Sequence, residues 1–336
     1  MSGAQLALAP RQRHDVAEIR ARIAGRRVIA SVSGGRDSAA ASLYLRELGI
    51  DHDRVFMDTG WEHPATYDYL RGELTRVLGP IREIKNEQFD FVGLVKHKGL
   101  FPSRVMRFCT TELKVRPMAQ FVAALIEEGE DPVNVVGIRR AESEARSRMA
   151  EWDHGDSIDC DVWRPLVEWS VAEVESIIAR HGLGRNPLYK LGASRVGCWP
   201  CIHARKAEIA LVARIDPERV RLLNELEAEL TTAARERARD AGEELEWVRT
   251  LFSYKRPDGS HTPLPMWQAV QWAESARGEW QPPNVGDGCM RHGMCDTSGE
   301  EAPRPFALTA SGEVSPVLGE PQASGVARTA ETKGEG

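Results

Sequence analysis

A short glycine-containing loop is the first group of residues whose types and spacing suggest chemistry. It follows the apolar run 27–32, precedes a helical pattern over 37–48, and reads Ser33-Gly34-Gly35-Arg36-Asp37-Ser38. Glycines allow a tight turn and a close approach of the backbone to a ligand, and the free N–H groups at a helix start bind anions. Ser33 and Ser38 can add hydroxyl donors. The loop lacks the G-K-[ST] ending of a Walker A motif, and we favour a phosphate-binding loop over an ordinary strand–helix turn.

Cysteines form the second such group, and the chain has six of them. Cys198 and Cys201 are spaced as C-x2-C, which can chelate one metal ion, hold two irons of a cluster or form a redox dithiol. Cys109 lies far upstream, and Cys289 and Cys295 stand in a glycine-bounded segment. Outside oxidising compartments, such cysteines are more often metal ligands, catalytic thiols or core residues than disulfides.

Polar residues also stand where two further strands are predicted to end. The strands are 53–58 and 133–138, and the residues at or just after their ends are Asp58, Thr59, Gly137, Arg139 and Arg140. Nucleotides bind beyond the carboxyl ends of parallel strands, and planar guanidinium groups bind phosphate or sulfate. Taken alone, the first segment is better explained as a helix N-cap and tight turn, and the second as a solvated charged helix.

Alternating strands and helices must position these groups. The predicted strands are 27–32, 53–58, 81–85 and 133–138, and the predicted helices are 10–25, 37–48, 64–77 and 112–128. Such alternation predicts an α/β fold with a doubly wound parallel sheet. After about residue 160 the pattern turns helical, with helices predicted from Pro217 to Gly242 and over 263–276.

These patterns divide the chain into four predicted segments. They are an N-terminal helix (1–26), a nucleotide-binding and cysteine-site domain (27–215), a helical or loop extension (216–300) and a disordered tail (301–336). The tail is poor in bulky apolar residues and rich in Pro, Gly, Ala, Ser and Thr, so it cannot bury enough surface to offset its ordering entropy.

Composition limits the class of protein. The 336 residues are 42% apolar and 28% charged, which is typical of a globular protein and excludes disorder along the whole chain. No run approaches the roughly 18 apolar residues of a membrane span, and the N-terminus does not resemble a signal peptide. We therefore expect a cytoplasmic protein with no membrane partner. The net charge of −6 argues against a basic coat for duplex DNA but leaves room for a local basic groove.

The glycine loop resembles the S-G-G-x-D-S signature of the pyrophosphate-loop (PP-loop) ATP pyrophosphatases. This resemblance implies an adenine-nucleotide alpha-hydrolase type of sheet, ATP cleaved between its α and β phosphates, and an adenylylated product. ATP would bind at Ser33, Gly34, Gly35, Asp37 and Ser38. Mg²⁺ is the expected metal cofactor, with Asp58 near the metal or the ribose.

Two further segments resemble the phosphoadenylylsulfate reductase family of the same superfamily. Asp58-Thr59-Gly60, followed by Pro64 and Thr66-Tyr67, is similar to its D-T-G…P-E-T-Y segment, and Gly137–Ser143 is similar to its G-x-R-R-x-x-S segment. The resemblance covers roughly 27–206. It implies that Thr59, Gly137, Arg139 and Arg140 contact the nucleotide.

The cysteines are similar to those of the adenylylsulfate reductases, which carry C-C-x-x-R-K-x-x-P and a later C-x-x-C. This chain keeps Cys109, Lys114, Pro117, Cys198 and Cys201, but has Thr110 for the second cysteine and Leu113 for the arginine. In those reductases the four thiolates hold a four-iron, four-sulfur cluster.

The resemblance therefore implies an iron–sulfur cluster on Cys109, Cys198 and Cys201, while an all-thiolate zinc site remains an alternative. The fourth position is either open or capped by Cys289, which we prefer over Cys295. Cys160 is better explained as a small buried residue. The predicted catalytic residues are Asp37, Lys114, Arg139 and Cys289.

Three functions remain open at this point. The first is an ATP-dependent, adenylylating sulfurtransferase. It would be closest in logic to the ATP-pyrophosphatase-like subunit of DNA phosphorothioation systems or to cluster-dependent tRNA thiolases. It needs a sulfur donor such as a cysteine desulfurase and an acceptor, which can be a nucleic acid or a small molecule.

The second function is a thioredoxin-dependent phosphoadenylylsulfate or adenylylsulfate reductase. The chain lacks the E-C-G-x-H string of those reductases, and its complete S-G-G-x-D-S loop is typical of enzymes that handle ATP. Both departures favour sulfur transfer. The third function is a non-catalytic component that binds ATP or nucleic acid.

Overall fold

A computed structural model describes residues 15–245, 248–255 and 261–275 of the chain. In chain order its strands are β1 (Arg27–Val32), β2 (Asp53–Asp58), β3 (Arg82–Lys85), β4 (Pro132–Val136), β5 (Trp152–Gly155), β6 (Cys160–Trp163), β7 (Phe252–Lys255) and β8 (His261–Leu264). The helices of the first half are α1 (Val16–Ile23), α2 (Arg36–Glu47), α3 (Pro64–Tyr69), α4 (Thr75–Leu78), α5 (Phe91–Lys98), α6 (Phe108–Thr110) and α7 (Arg116–Glu127). Those of the second half are α8 (Glu144–Ser147), α9 (Val171–Arg180), α10 (Pro187–Lys190), α11 (Lys206–Ile215), α12 (Pro217–Asp240) and α13 (Met266–Glu274). Single π-helical turns join α3 to α4 (Leu70–Leu74) and α6 to α7 (Thr111–Val115).

Within the described residues, six strands form the central sheet in the order β3-β2-β1-β4-β6-β5. β1 pairs in parallel with both β2 and β4, and β5 pairs antiparallel with β6. The chain builds the sheet outward from β1 to β3 and then crosses to β4 on the other side of β1. This reversal between β1 and β4 is a topological switch point, where the loops leaving two neighbouring strands diverge and leave a crevice.

Helices cover both faces of the sheet because the side chains of a strand alternate between its faces. Val28, Ala30 and Val32 of β1 are buried in a cluster with residues of α1, α2 and α9. Ile29 points the other way and is buried in a cluster with Val122 of α7. The sheet is therefore doubly wound.

The last three helices form a separate layer. Buried residues of α11, α12 and α13 share one cluster with Trp61, which follows β2, and with Phe91, the first residue of α5. Trp61 and Phe91 stack with ring centroids 4.5 Å apart. The helical extension thus packs next to the carboxyl end of β2.

The predicted fold class is confirmed: the sheet is mostly parallel and doubly wound, and helices follow residue 215. The antiparallel edge strand β5 and its partner β6 were not predicted. The helix predicted over 263–276 is wrong at its start, because 261–264 pairs with β7 as strand β8 and the helix begins at Met266. The four segment boundaries stay predictions, and the predicted tail lies outside the described residues.

Candidate functional site

The glycine loop connects β1 to α2 and is held by its own serines. The Ser33 amide donates to Ser38 Oγ at 3.0 Å, and that hydroxyl donates to the Gly35 carbonyl at 3.0 Å. Gly34 has φ +72°, a left-handed conformation that favours glycine. Because the first N–H groups of a helix have no partner within it, the start of α2 offers donors for an anion.

Residues from three distant segments close around this loop. Asn186 donates its side-chain amide to the Gly34 carbonyl at 3.3 Å, and the Arg36 amide donates to the Tyr189 hydroxyl at 3.3 Å. A methyl group at Gly34 would come within 2.9 Å of Thr66 Cγ2, and one at Gly35 within 3.7 Å of the Val196 carbonyl oxygen. The segment before Cys198 therefore lies against the phosphate loop.

Arg139 lies across the switch point from the loop. Its side chain is 5% exposed and donates to the carboxylate of Asp37, which is 18% exposed. Gly137 lets β4 approach this closely, since a methyl group there would lie 2.3 Å from the Asp37 carbonyl oxygen and 2.7 Å from the Ser38 amide. The structure thus brings Asp37, Gly137 and Arg139 together, and their roles as site residues stay predictions.

Arg140 points elsewhere. It donates to the Met149 carbonyl from Nε at 3.0 Å and from Nη2 at 2.9 Å, and it also pairs with Glu168. Its guanidinium therefore holds the turn that precedes β5. Its predicted contact with the nucleotide stays a prediction.

The carboxyl end of β2 carries a hydrogen-bond network. Asp58 Oδ1 accepts from the Gly60 amide at 2.8 Å and from the Tyr67 hydroxyl at 2.6 Å. The Thr59 hydroxyl is buried and donates to Glu62, whose carboxylate is also buried. Sequence reasoning included Glu62 and Tyr67 only as part of a string. The signal that could have singled out Glu62 is a carboxylate directly after Trp61, shortly beyond the end of the predicted strand 53–58.

The C-x2-C turn is joined to this same segment. Glu62 and Cys198 form an antiparallel bridge, and the Trp199 amide donates to the Trp61 carbonyl at 2.8 Å. Trp61 returns a hydrogen bond from its indole N–H to the Pro200 carbonyl at 3.1 Å. These bonds fix Cys198 beside the end of β2.

Cys109 of α6 and Lys114 of the π-helical turn before α7 complete the cysteine site. Burial raises the pKa of Cys198 to about 11, and the charge of Lys114 opposes this effect while Glu62, Cys201 and Cys109 add to it. Burial also raises the pKa of Cys109, with a further contribution from Cys201. Cys198 in turn raises the pKa of Lys114. The three predicted ligands and the lysine therefore lie within electrostatic reach of one another.

Basic side chains surround these thiols. Arg195 interacts electrostatically with Cys201 and Cys198, and Arg104 interacts with Cys201. Both arginines are exposed. Cationic neighbours of this kind stabilise thiolates and the anionic groups that thiolates bind.

The remaining cysteines lie elsewhere. Cys160 is the first residue of β6, at the amino end of a parallel strand, and is buried in the cluster beneath α7. It is thus a small buried residue, as predicted. Cys289 and Cys295 lie outside the described residues. Within residues 15–245, 248–255 and 261–275, no group of three or more His, Cys, Asp or Glu side chains is arranged to hold a metal ion.

The fold and the loop between β1 and α2 define a nucleotide-binding α/β protein of the adenine-nucleotide alpha-hydrolase type. Residues 27–204 match the family described as the phosphoadenosine phosphosulfate reductase domain. The chain belongs to this family and is an enzyme of the PP-loop superfamily. In the part of the chain that the structure describes, no helix has both the length and the apolar character needed to cross a membrane.

Similar proteins extend this finding. An uncharacterized 37.8 kDa protein of Escherichia phage 186 is 32% identical over 62% of this chain and 76% of its own length. The adenosine 5'-phosphosulfate reductase of Streptomyces coelicolor is 28% identical over 50% of this chain and 69% of its own length. The chain spans only 39% of the length of another relative, an uncharacterized protein of Methanocaldococcus jannaschii.

Among solved structures, the phosphoadenylyl-sulfate reductase of Candida auris matches with a TM-score of 0.42 and 21% identity. That match covers 55% of this chain and 87% of the other.

Proposed function

We propose that this chain is an ATP-dependent, adenylylating sulfurtransferase that carries an iron–sulfur cluster. The observation that carries the proposal is the contact between the complete S-G-G-x-D-S loop and the segment that leads into Cys198. Val196 lies against Gly35 there, and Glu62 pairs with Cys198. An activated acceptor bound to ATP at the loop would therefore be next to the cysteine site.

The first chemical step would be adenylylation. An acceptor oxygen attacks the α-phosphorus of ATP, an oxygen–phosphorus bond forms, and pyrophosphate leaves with the electrons of the broken α–β bond. The N–H groups at the start of α2 would bind the triphosphate. Arg139 would orient Asp37 and neutralise its charge next to the phosphates. Asp58 is the carboxylate proposed for Mg²⁺, because among the described residues it forms no direct ion pair like that of Asp37 with Arg139.

The second step would be displacement by sulfur. A sulfur nucleophile attacks the activated atom of the acceptor, which is carbon in a base or small molecule and phosphorus in a phosphate. A bond to sulfur forms there, and AMP leaves with the former acceptor oxygen. Lys114 lies close enough to Cys198 and Glu62 to interact with both charges. Its ammonium would therefore stabilise the negative charge that moves between the sulfur and the leaving phosphate.

The residue types at the cysteine site support a cluster rather than a single metal ion. Thiolates are the usual ligands of iron–sulfur clusters, and a cluster spreads them over several irons rather than around one ion. Cys109, Cys198 and Cys201 interact with one another and have Lys114 beside them. When bound, a cluster with an open iron supplies a position that holds and delivers sulfur. Cys289 remains the proposed cap of that position.

We also propose a class of acceptor and a source of sulfur. Exposed Arg104 and Arg195 beside the thiols support an anionic acceptor such as a nucleic acid, whose phosphates bind arginine well. A cysteine desulfurase is the proposed source of sulfur. The acidic net charge of the whole chain does not oppose this, since only the local charge faces the acceptor.

The alternative function is a thioredoxin-dependent reductase of phosphoadenylylsulfate or adenylylsulfate. The similarity to a reductase of Streptomyces coelicolor favours it. It requires a cysteine that attacks the sulfate sulfur, and Cys289 is the candidate. The same nucleotide loop and cysteine site would then serve sulfonucleotide binding.

A pyrophosphate exchange assay separates these functions. With ATP, labelled pyrophosphate and either tRNA or duplex DNA as the trial acceptor, we expect label to enter ATP. The Asp37→Ala/Ser38→Ala variant should lose the exchange, and the matched Asp156→Ala/Ser157→Ala variant, which changes two exposed residues in the turn between β5 and β6, should keep it. Sulfite release from a sulfonucleotide with thioredoxin, without exchange, would establish the alternative. ATP binding with neither activity would indicate a non-catalytic component.

A further inference from the structure

Glu62 occupies the point where the nucleotide end of the sheet meets the cysteine site. Its side chain lies in the turn after β2 and the residue is 3% exposed. A buried carboxylate is costly unless its lone pairs are hydrogen-bonded. The hydrogen-bond partners of Glu62 therefore indicate which neighbouring groups its carboxylate positions.

On the nucleotide side, those partners are two hydroxyls and the Trp61 amide, which donates to Glu62 Oε2 at 3.3 Å. Thr59 Oγ1 lies 2.9 Å from each of the two carboxylate oxygens of Glu62. The Tyr67 hydroxyl lies 3.1 Å from Glu62 Oε2 and 2.6 Å from Asp58 Oδ1. Asp58 and Glu62 thus face the same phenol from two sides.

A phenol has a single proton to donate. Tyr67 can therefore satisfy Asp58 or Glu62 but not both at full strength. Burial, together with the hydrogen bond to Asp58 and the charge of Glu62, raises the pKa of Tyr67 far above its ordinary value, so the proton stays on the ring oxygen. By distance, Asp58 is the better acceptor for the Tyr67 hydroxyl in this structure.

On the cysteine side, Glu62 contacts the C-x2-C turn directly. Cys198 Sγ lies 4.0 Å from Glu62 Oε1, and the backbones of the two residues form a bridge. A change in the hydrogen bonds of Glu62 would consequently alter the electrostatic environment of Cys198 Sγ without any movement of a helix or strand.

We propose that Tyr67 is a hydrogen-bond switch between Asp58 and Glu62 that reports nucleotide binding to the cysteine site. This proposal rests on the proposed function in one respect, the placing of Mg²⁺ or the ribose at Asp58. A ligand that takes the Asp58 oxygen competes with the phenol. The Tyr67 proton then turns to Glu62, and the carboxylate interacts less with Cys198 and Lys114. Tyr67 and Glu62 are positioning residues in this scheme, since neither needs to touch the reacting atoms.

Alkylation of Cys198 tests the switch. The full-length chain, freed of metal by a chelator, is treated with iodoacetamide with and without Mg²⁺–ATP, and the modified Cys198 peptide is followed by mass spectrometry. ATP affinity is measured in parallel by calorimetry. We expect saturating Mg²⁺–ATP to change the Cys198 rate by about fivefold or more, the lower end of usual couplings between sites.

The variant Tyr67→Phe removes the shared proton and keeps the ring. It should still bind Mg²⁺–ATP, but the Cys198 rate should no longer respond to the nucleotide. Glu62→Gln should abolish the response in the same way. Tyr69→Phe is the matched control, because its hydroxyl donates to the Gly184 carbonyl at 2.8 Å and reaches neither carboxylate. It should respond as the unmodified chain does.

Two results would overturn the switch. One is a Tyr67→Phe variant whose Cys198 rate responds to Mg²⁺–ATP as strongly as the unmodified chain. The other is an unmodified chain that binds Mg²⁺–ATP with no change at Cys198. Failure of the proposed function looks different, because ATP would then bind and alter Cys198 while pyrophosphate exchange stays absent.

Discussion

Arg139 donates a hydrogen bond to Asp37 although the two residues are 102 positions apart in the chain. The pair spans the switch point between β1 and β4, and it joins the first turn of α2 to the segment after β4. The guanidinium is almost fully buried, whereas the carboxylate keeps some contact with water. The pair therefore joins two distant segments of the chain and determines the net charge of the side chains beside the phosphate loop.

Replacing Arg139 by alanine should destabilise the protein and abolish nucleotide binding. Breaking a buried ion pair from one side costs about 3–5 kcal/mol, and we expect roughly 2–3 kcal/mol here because Asp37 is partly solvated. The double variant Asp37→Ala/Arg139→Ala should lose less stability than the sum of the two single changes, since no charge is left unpaired. Urea unfolding measures the stability and calorimetry measures ATP binding.

Arg76→Ala is the control for this cycle. Arg76 and Glu73 form an ion pair at 2.8 Å in which the arginine side chain is 64% exposed. Exposed pairs contribute about 1 kcal/mol or less, so this change should alter stability slightly and leave ATP binding intact. Additive effects of Asp37→Ala and Arg139→Ala would contradict the pairing.

Replacing Gly137 by alanine should displace the phosphate loop. The new methyl group would overlap backbone atoms of Asp37 and Ser38, which cannot move without shifting the start of α2. We expect about 1–3 kcal/mol of lost stability, typical of overpacking, and a loss of ATP affinity larger than that stability loss explains. Gly72→Ala is the matched control, since a methyl group there meets no atom within 4 Å. Unchanged ATP affinity in Gly137→Ala would show that the nucleotide does not depend on this contact.

The phosphate loop and the strand ends could be predicted because their signals are local. Gly34 lies between an apolar strand and a helix, Asp37 lies in the first turn of that helix, and the carboxyl ends of parallel strands meet at one edge. β5 could not be predicted, since its short polar sequence pairs only because β6 offers an edge. Likewise, the proposed roles of Tyr67 and Glu62 depend on distances across the turn after β2, and the spacing of residues in the sequence does not predict those distances.

Replacing Cys109, Cys198 or Cys201 singly by serine should remove most of the iron and the visible absorbance from anaerobically purified protein. Serine keeps the size of the side chain but is a poor ligand for iron in a sulfur cluster. Iron and acid-labile sulfide analysis gives the measurement. Cys289→Ser should leave the iron in place, because Cys289 is proposed only as a cap.

Cys160→Ala is the control for the cysteine series. Cys160 lies at the opposite end of its strand, in the cluster beneath α7, so its loss should leave the iron content unchanged. Stoichiometric zinc without iron in the unmodified protein would contradict the cluster and make the site structural.

Replacing Glu227 by glutamine should change how stability depends on pH. Glu227 is a buried residue of α12 that accepts from the Leu251 amide at 3.0 Å and from the Met266 amide at 2.9 Å. It thereby fastens the segment before β7 and the start of α13 to α12. Burial raises the pKa of Glu227 from its ordinary value of 4.5 to about 8, against the opposing effect of the two amides.

A carboxyl group whose pKa is raised by folding binds more protons in the folded state than in the unfolded state. The folded state is therefore favoured at low pH, and this advantage is lost as pH rises from about 4.5 to about 8. In that window Glu227 alone makes the free energy of unfolding fall by up to about 1.4 kcal/mol per pH unit.

Glu227→Gln removes this dependence, but its amide nitrogen cannot accept a hydrogen bond, which costs about 1 kcal/mol. The variant should thus be less stable than the unmodified chain at pH 5, and the gap should close or reverse at pH 9. Denaturant unfolding at both pH values measures the gap. Glu225→Gln, on the exposed side of the same helix and paired with Arg221 at 2.7 Å, should show nearly the same small gap at both. An equal gap for Glu227→Gln at pH 5 and pH 9 would mean that this carboxyl is ionised in the folded protein throughout.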